Sequence, residues 1–167
     1  LLIEAKADVN TETRKLKDTA LHGAAKNGYS KIVQQLLAAK ATVNVQSVTK
    51  ATPVLRASEH NHVDTARVLA KAKADVDLAC GNGWNPIIAA EFWGHIATTQ
   101  CLIEAKAHID QTQHHQSTAT IIASEKGNYE SLRLLLQAKG DVNHSRHDGF
   151  TPLLFAAQYG HEDNAKV

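Results

Sequence analysis

No methionine occurs at any of the 167 positions, only two cysteines and three prolines are present, and aromatic residues make up just 5% of the chain. Each shortage excludes something. Cys80 and Cys101 are too few for a disulfide framework and suit a reducing compartment, so an intracellular, cytoplasmic setting is expected. No apolar run approaches the roughly 18 residues of a membrane span, so membrane insertion is not expected. Charge of one sign is missing too. Eighteen Lys and Arg stand against 17 Asp and Glu, a formal net of +1, which gives no general attraction to nucleic acid. The opening LLIEAKADVN has neither the basic start nor the long apolar stretch of a signal peptide. Without methionine even at position 1, the chain reads as a piece of a longer one or a processed product, and further domains of that longer chain are expected.

Catalytic motifs are missing as well. There is no G-x-S-x-G, no G-x-x-x-x-G-K-[ST] and no H-E-x-x-H. Cys101 sits in the apolar run TTQCLIEA, where a buried structural thiol is the default, and Cys80, beside GNGW, has no base assigned to it. Neither enzymatic activity nor a cofactor is expected.

What the chain has is repetition. Segments starting at Thr19, Thr52, Asn85, Thr118 and Thr151 align with one another at a constant spacing of 33 residues. The first reads TALHGAAKNGYSKIVQQLLAAKATVN and the second TPVLRASEHNHVDTARVLAKAKADVD. The opening LLIEAKADVN matches the tail of such a unit. The chain therefore divides into a leading partial repeat over 1–13, four whole repeats over 14–46, 47–79, 80–112 and 113–145, and a truncated fifth over 146–167. Within each unit Thr or Asn supplies an N-cap, and proline follows it in three of the five. A short helix with small residues such as Ala24 and Ala25 runs to Gly28, Asn61, Gly94, Gly127 or Gly160, residues that tolerate a left-handed turn. A second helix follows, with apolar residues at helical spacing, as in Ile32, Val33, Leu36 and Leu37. Neither helix can bury its apolar face alone, so neighbouring units must stack.

The period, the T-P-L-H-like start, the paired alanines, the G-H step and the D-V-N exit together resemble the ankyrin repeat. The resemblance covers essentially the whole chain. It implies an all-α solenoid of antiparallel helix pairs with hairpin-like loops projecting from one edge, and a non-enzymatic module that binds a partner protein on its concave face. The family's loop glycine is kept at Gly83 and Gly149 but replaced by Lys17, Lys50 and Gln116, so irregular hairpins are expected at those three loops. The loop between Asn10 and Thr19 is one residue longer than the others. Thr120, Thr98 and Thr99 stand where other units carry apolar residues, so looser packing is expected in repeats three and four.

The resemblance also implies which positions face the concave surface: the two before each G-H glycine and the one before each capping Thr or Asn. Of the eight aromatic residues, Trp84, Phe92, Trp93, Phe150 and Tyr159 fall within those fifteen positions, where random placement would put about one. A broken aromatic strip over repeats three to five is therefore the expected partner-binding surface, since Trp and Tyr often dominate interface energetics. Lys26, Glu59, His60, Glu125 and Lys126 would form its polar rim. The competing reading is that Trp84 and Phe150 fold over their own loops while Phe92 fills a gap.

Ten histidines raise the question of a metal. His22, His62, His95 and His161 occupy positions where the resemblance implies hydrogen bonding within loops and turns. His114 and His115 at one loop tip, with His147 at the next and His144 nearby, are expected to make polar contacts with a partner rather than hold zinc. Lys6, Lys40, Lys73, Lys106 and Lys139 recur once per repeat after the second helix and read as capping lysines at the negative ends of helix dipoles. A polyanion track along them is opposed by Glu4, Asp8, Asp75, Glu104 and Asp141. Two further readings are a substrate- or host-target-recruiting domain of a larger enzyme or secreted effector, acting in the host cytosol, and a spacer with no ligand.

Overall fold

The structure, a computed structural model, describes residues 2–166; positions 1 and 167, assigned above to the outermost repeat segments, lie outside this range. Ten helices and no strand occur among the described residues. They pair as α1 (Ala20–Lys26) with α2 (Ser30–Ala38), α3 (Pro53–Glu59) with α4 (Val63–Lys71), α5 (Pro86–Trp93) with α6 (Ile96–Glu104), α7 (Ala119–Lys126) with α8 (Tyr129–Gln137), and α9 (Pro152–Tyr159) with α10 (Glu162–Lys166). Each first helix packs on the first helix of the next pair, and each second helix on the next second helix, in an all-α solenoid.

The sequence dictates where each first helix begins. The side chains of Thr52, Asn85, Thr118 and Thr151 accept from the backbone N–H three residues on, at 2.9–3.4 Å, and Pro53, Pro86 and Pro152 follow three of these caps. In the first repeat the Thr19 backbone N–H donates to His22 Nδ1 at 3.1 Å. The ring proton of His22 therefore sits on Nε2, which donates to the Ala51 carbonyl of the next repeat at 3.0 Å. Small buried Ala24, Ala57, Ala90, Ala123 and Ala156 let first helices approach closely, while Leu36, Leu69, Leu102 and Leu135 fill the core from the second helices.

The exits from the second helices are Schellman turns. Lys40 N–H bonds the Leu37 carbonyl and Ala41 N–H the Leu36 carbonyl, and the same pair of bonds recurs at Lys73, Lys106 and Lys139. Glycine usually occupies the left-handed position of this motif. Here it is lysine every time, with φ of 67°, 63°, 65° and 69°, and Lys6 matches them at 60°.

The loops correct an expectation. Lys17, Lys50 and Gln116 adopt φ of 53°, 58° and 59°, in the left-handed region that Gly83 and Gly149 occupy at 81° and 82°. The same closing bond joins Ser47 N–H to Ala51 O, Cys80 to Trp84, Gln113 to Ser117 and Arg146 to Phe150, at 2.8–3.2 Å. In the longer first loop it spans Thr13 to Asp18. The hairpins stay regular without the glycine, because the surrounding hydrogen bonds hold a non-glycine residue in the left-handed conformation.

Two ladders of hydrogen bonds stitch repeat to repeat. On the first, His62, His95 and His161 Nε2 meet the carbonyls of Lys26, Glu59 and Glu125 at 3.0–3.2 Å, and Asn128 Nδ2 donates to the Glu91 carbonyl at 2.9 Å. On the second, side-chain oxygens of Asn10, Asn44, Asp77 and Asp110 accept from the backbone N–H groups of Thr42, Asp75, His108 and Asp141 at 2.7–2.8 Å. Gly28 and Gly127 serve the first ladder twice over. Each has φ above 70°, and the ring of His62 or His161 occupies the space a Cβ would need.

Candidate partner-binding surface

The five predicted aromatics fall into two clusters. In the third repeat the Trp84 and Phe92 rings lie 4.6 Å apart, and Phe92 meets Trp93 edge-on at 5.1 Å. In the fifth, Phe150 packs on Phe155 at 4.9 Å, and Phe155 stacks parallel to Tyr159 at 6.3 Å. Repeat four separates them because its concave positions carry Ser117, Glu125 and Lys126. Lys126 reaches back, placing Nζ 4.5 Å from the Phe92 centroid, a cation–π contact that extends the first cluster.

Each aromatic divides its surface between packing and solvent. Trp84 is half-buried and rests on the small buried cluster of Ala51, Leu55 and Ala89. Phe92 and Phe150 are also half-buried, whereas Trp93 is 57% exposed and Tyr159 52%. Phe155, outside the predicted set, is the buried base of the second cluster; Arg146 lies 4.8 Å over its ring and is hydrogen-bonded to Asp148. That hydrogen bond holds the Asp148 carboxyl at about 2.

The first cluster walls a groove of about 910 Å³ that runs back toward repeat one. Trp84 and Trp93 line it together with Lys26, Arg56, Glu59 and His60. Arg56 Nη1 donates to Glu59 Oε2 at 3.0 Å, so Glu59 is a paired rim residue. Burial pushes the His60 imidazole below its ordinary value; Glu59 opposes that shift, while Lys26, His62 and Arg56 add to it. Arg56, Lys26 and Asn82 belong to this groove, yet the aromatic bias that led to Trp84 and Trp93 gave no reason to single out Arg56 or Asn82.

The loop-tip histidines are exposed, but the structure brings ring to backbone and not ring to ring. The His114 ring lies against Gly83 of the preceding loop, and His147 Nε2 lies 3.3 Å from the His114 carbonyl. His144 Nε2 meets the Gln116 carbonyl at 2.9 Å, and His115 lies exposed beside them. Among the described residues no three His, Cys, Asp or Glu side chains converge as metal ligands would. Both cysteines are free thiols, and burial pushes the Cys101 thiol up, away from the reactive thiolate. Among the described residues no helix is long and apolar enough to cross a membrane.

The family model for ankyrin repeats matches three overlapping stretches, 1–80, 21–113 and 87–167, which together span the whole sequence. The chain belongs to the ankyrin repeat family. Repeats of this family are typically non-enzymatic modules that bind other proteins. No curated protein sequence matches the chain.

The ankyrin frame isolates one residue that the sequence reading passed over. Glu91 lies at the second of the paired small positions, where the other repeats have Ala25, Ser58, Ser124 and Ala157. It has no solvent exposure, and its neighbours are hydroxyls and an amide. A carboxylate among four small residues at one repeat position was a visible signal.

Proposed function

We infer that this ankyrin-repeat chain is a non-enzymatic, intracellular module that binds a partner protein on its concave face. Trp84, Phe92 and Trp93 anchor the partner. Glu59, His60, Glu125 and Lys126 form the polar rim, and Phe150 with Tyr159 offers a second, smaller contact. His114, His115 and His147 touch the partner at the loop tips. The observation that carries the reading is Trp93. This large ring is held edge-on by Phe92 at the lip of a groove, yet leaves more than half of its surface in water. A rigid aromatic anchor beside a preformed groove loses little conformational entropy on binding.

The test compares capture of proteins from a cell lysate by the intact chain and by a Trp84→Ala/Trp93→Ala variant, with circular dichroism confirming that both fold. A partner held by the intact chain and lost by the folded variant supports the concave site. Identical capture by both removes the aromatic cluster from the interface.

A further inference from the structure

Glu91 Oε1 accepts from the Thr99 hydroxyl at 2.5 Å, but its second oxygen has no hydrogen-bond partner. The Ser131 hydroxyl of the next repeat, also buried, has none either, although it lies near enough to act on the carboxyl. Hydrogen-bond donors such as Thr99 favour the carboxylate, but no cation stands beside it, so full burial leaves the ionised form dehydrated and favours the neutral acid.

The charged groups on the helices around α5 are engaged elsewhere. Arg56 and Glu59 on α3 pair with each other, as do Glu130 and Arg133 on α8. Lys126 on α7 lies over Phe92, and Glu104 on α6 accepts from Gln100. Glu125 acts on Arg146, and the His95 ring meets the Glu59 carbonyl. Besides burial, only Thr99, Ser131 and Asn128 act on the Glu91 carboxyl.

We propose that Glu91 is a proton-binding site built into the seam between repeats three and four, closed while the acid is neutral and loosened when it ionises. Burial, partly offset by the three hydrogen-bonding groups, raises the carboxyl from 4.5 to about 7, so the transition falls near neutral pH. Ionisation draws the carboxyl toward water. The last turn of α5, which also carries Phe92 and Trp93, is the part that must move to admit it. The proton site itself does not depend on the partner-binding reading; any effect on binding does.

The test is a pH titration of the intact chain, following the Glu91 side-chain carboxyl carbon by NMR and amide hydrogen exchange along the chain. A carboxyl midpoint within about a unit of 7 is expected. Protection factors in α5 and α7 should fall about tenfold between pH 6 and pH 8, from the proton linkage at one unit above the midpoint, while those in α1 and α3 hold. The Glu91→Gln variant, which is neutral at every pH, should abolish the fall. A midpoint near 4.5, or an undiminished fall in Glu91→Gln, overturns the proposal. If that variant does not fold, the carboxyl midpoint of the intact chain decides alone.

Discussion

The seam between repeats one and two and the seam between repeats three and four share a backbone and differ in what fills it. In the first, Leu21, Val33, Val54 and Leu69 bury their side chains with Ala25 and Ala57, and Thr65 is a buried hydroxyl beside them. In the second, the equivalent layer holds Glu91, Thr98, Thr99, Thr120 and Ser131, all completely buried. Looser packing was the expectation there. The threonines are instead as inaccessible as the leucines, and the difference is one of degree: Thr65 Oγ1 is left without a partner in the first seam, against Thr120 Oγ1, Ser131 Oγ and Glu91 Oε2 in the second. The comparison teaches that caps, left-handed turns and the two inter-repeat ladders set the geometry of this solenoid. Core chemistry sets how firmly each seam is held.

The comparison can be broken most strongly from the apolar side. Leu69→Ala leaves a cavity in a fully buried layer and should cost roughly 2–5 kcal/mol in chemical denaturation. A loss well under 1 kcal/mol would mean that the apolar seam is not the stronger one.

Glu91→Gln tests the polar side, and its sign depends on pH. The folded-state value of about 7 lies above the unfolded 4.5, so the seam has its full stability below about pH 4.5 and loses it as pH rises through 7. Above pH 8 the variant should therefore be more stable than the intact chain, by on the order of 3 kcal/mol at most, with no gain at pH 4. Urea midpoints at the two pH values check this, and an equal effect at both would contradict it.

Smaller effects should come from the backbone. Gly28→Ala forces a Cβ into a left-handed residue and into the His62 ring, and should cost about 1–2 kcal/mol. Lys40→Gly runs the other way. It relieves a left-handed lysine and should gain up to about 1 kcal/mol, part of it returned because glycine also loosens the unfolded chain. Thermal melts of the two variants should bracket that of the intact chain.

Much of this architecture is legible in the residues themselves. The 33-residue period places every helix pair, and the capping Thr and Asn residues mark the starts. The hairpins at Lys17, Lys50 and Gln116 were harder to read, because propensity counts against those residues while the closing hydrogen bonds, made by backbone atoms, do not depend on side-chain identity. The aromatic surface was legible as positions but not as contacts. That Lys126 would cover Phe92 depends on the rise between repeats, which no single unit reveals. Glu91 escaped notice because a charged residue ordinarily reads as surface, and only its alignment with Ala25, Ser58, Ser124 and Ala157 marks it as interior.

The two ladders carry a consequence for how such a chain can change length. Each stitch joins equivalent atoms of consecutive units, so the partners are interchangeable between units. Excising residues 47–79 would bring His95 opposite the Lys26 carbonyl and Asp77 would yield its role to Asn44, leaving no stitch without its complement. Excising 80–112 would set Asn128 against the Glu59 carbonyl and remove Glu91, Phe92 and both tryptophans in one step. Growth and loss by whole units are thus nearly seamless, whereas an insertion of any other length breaks two registers at once.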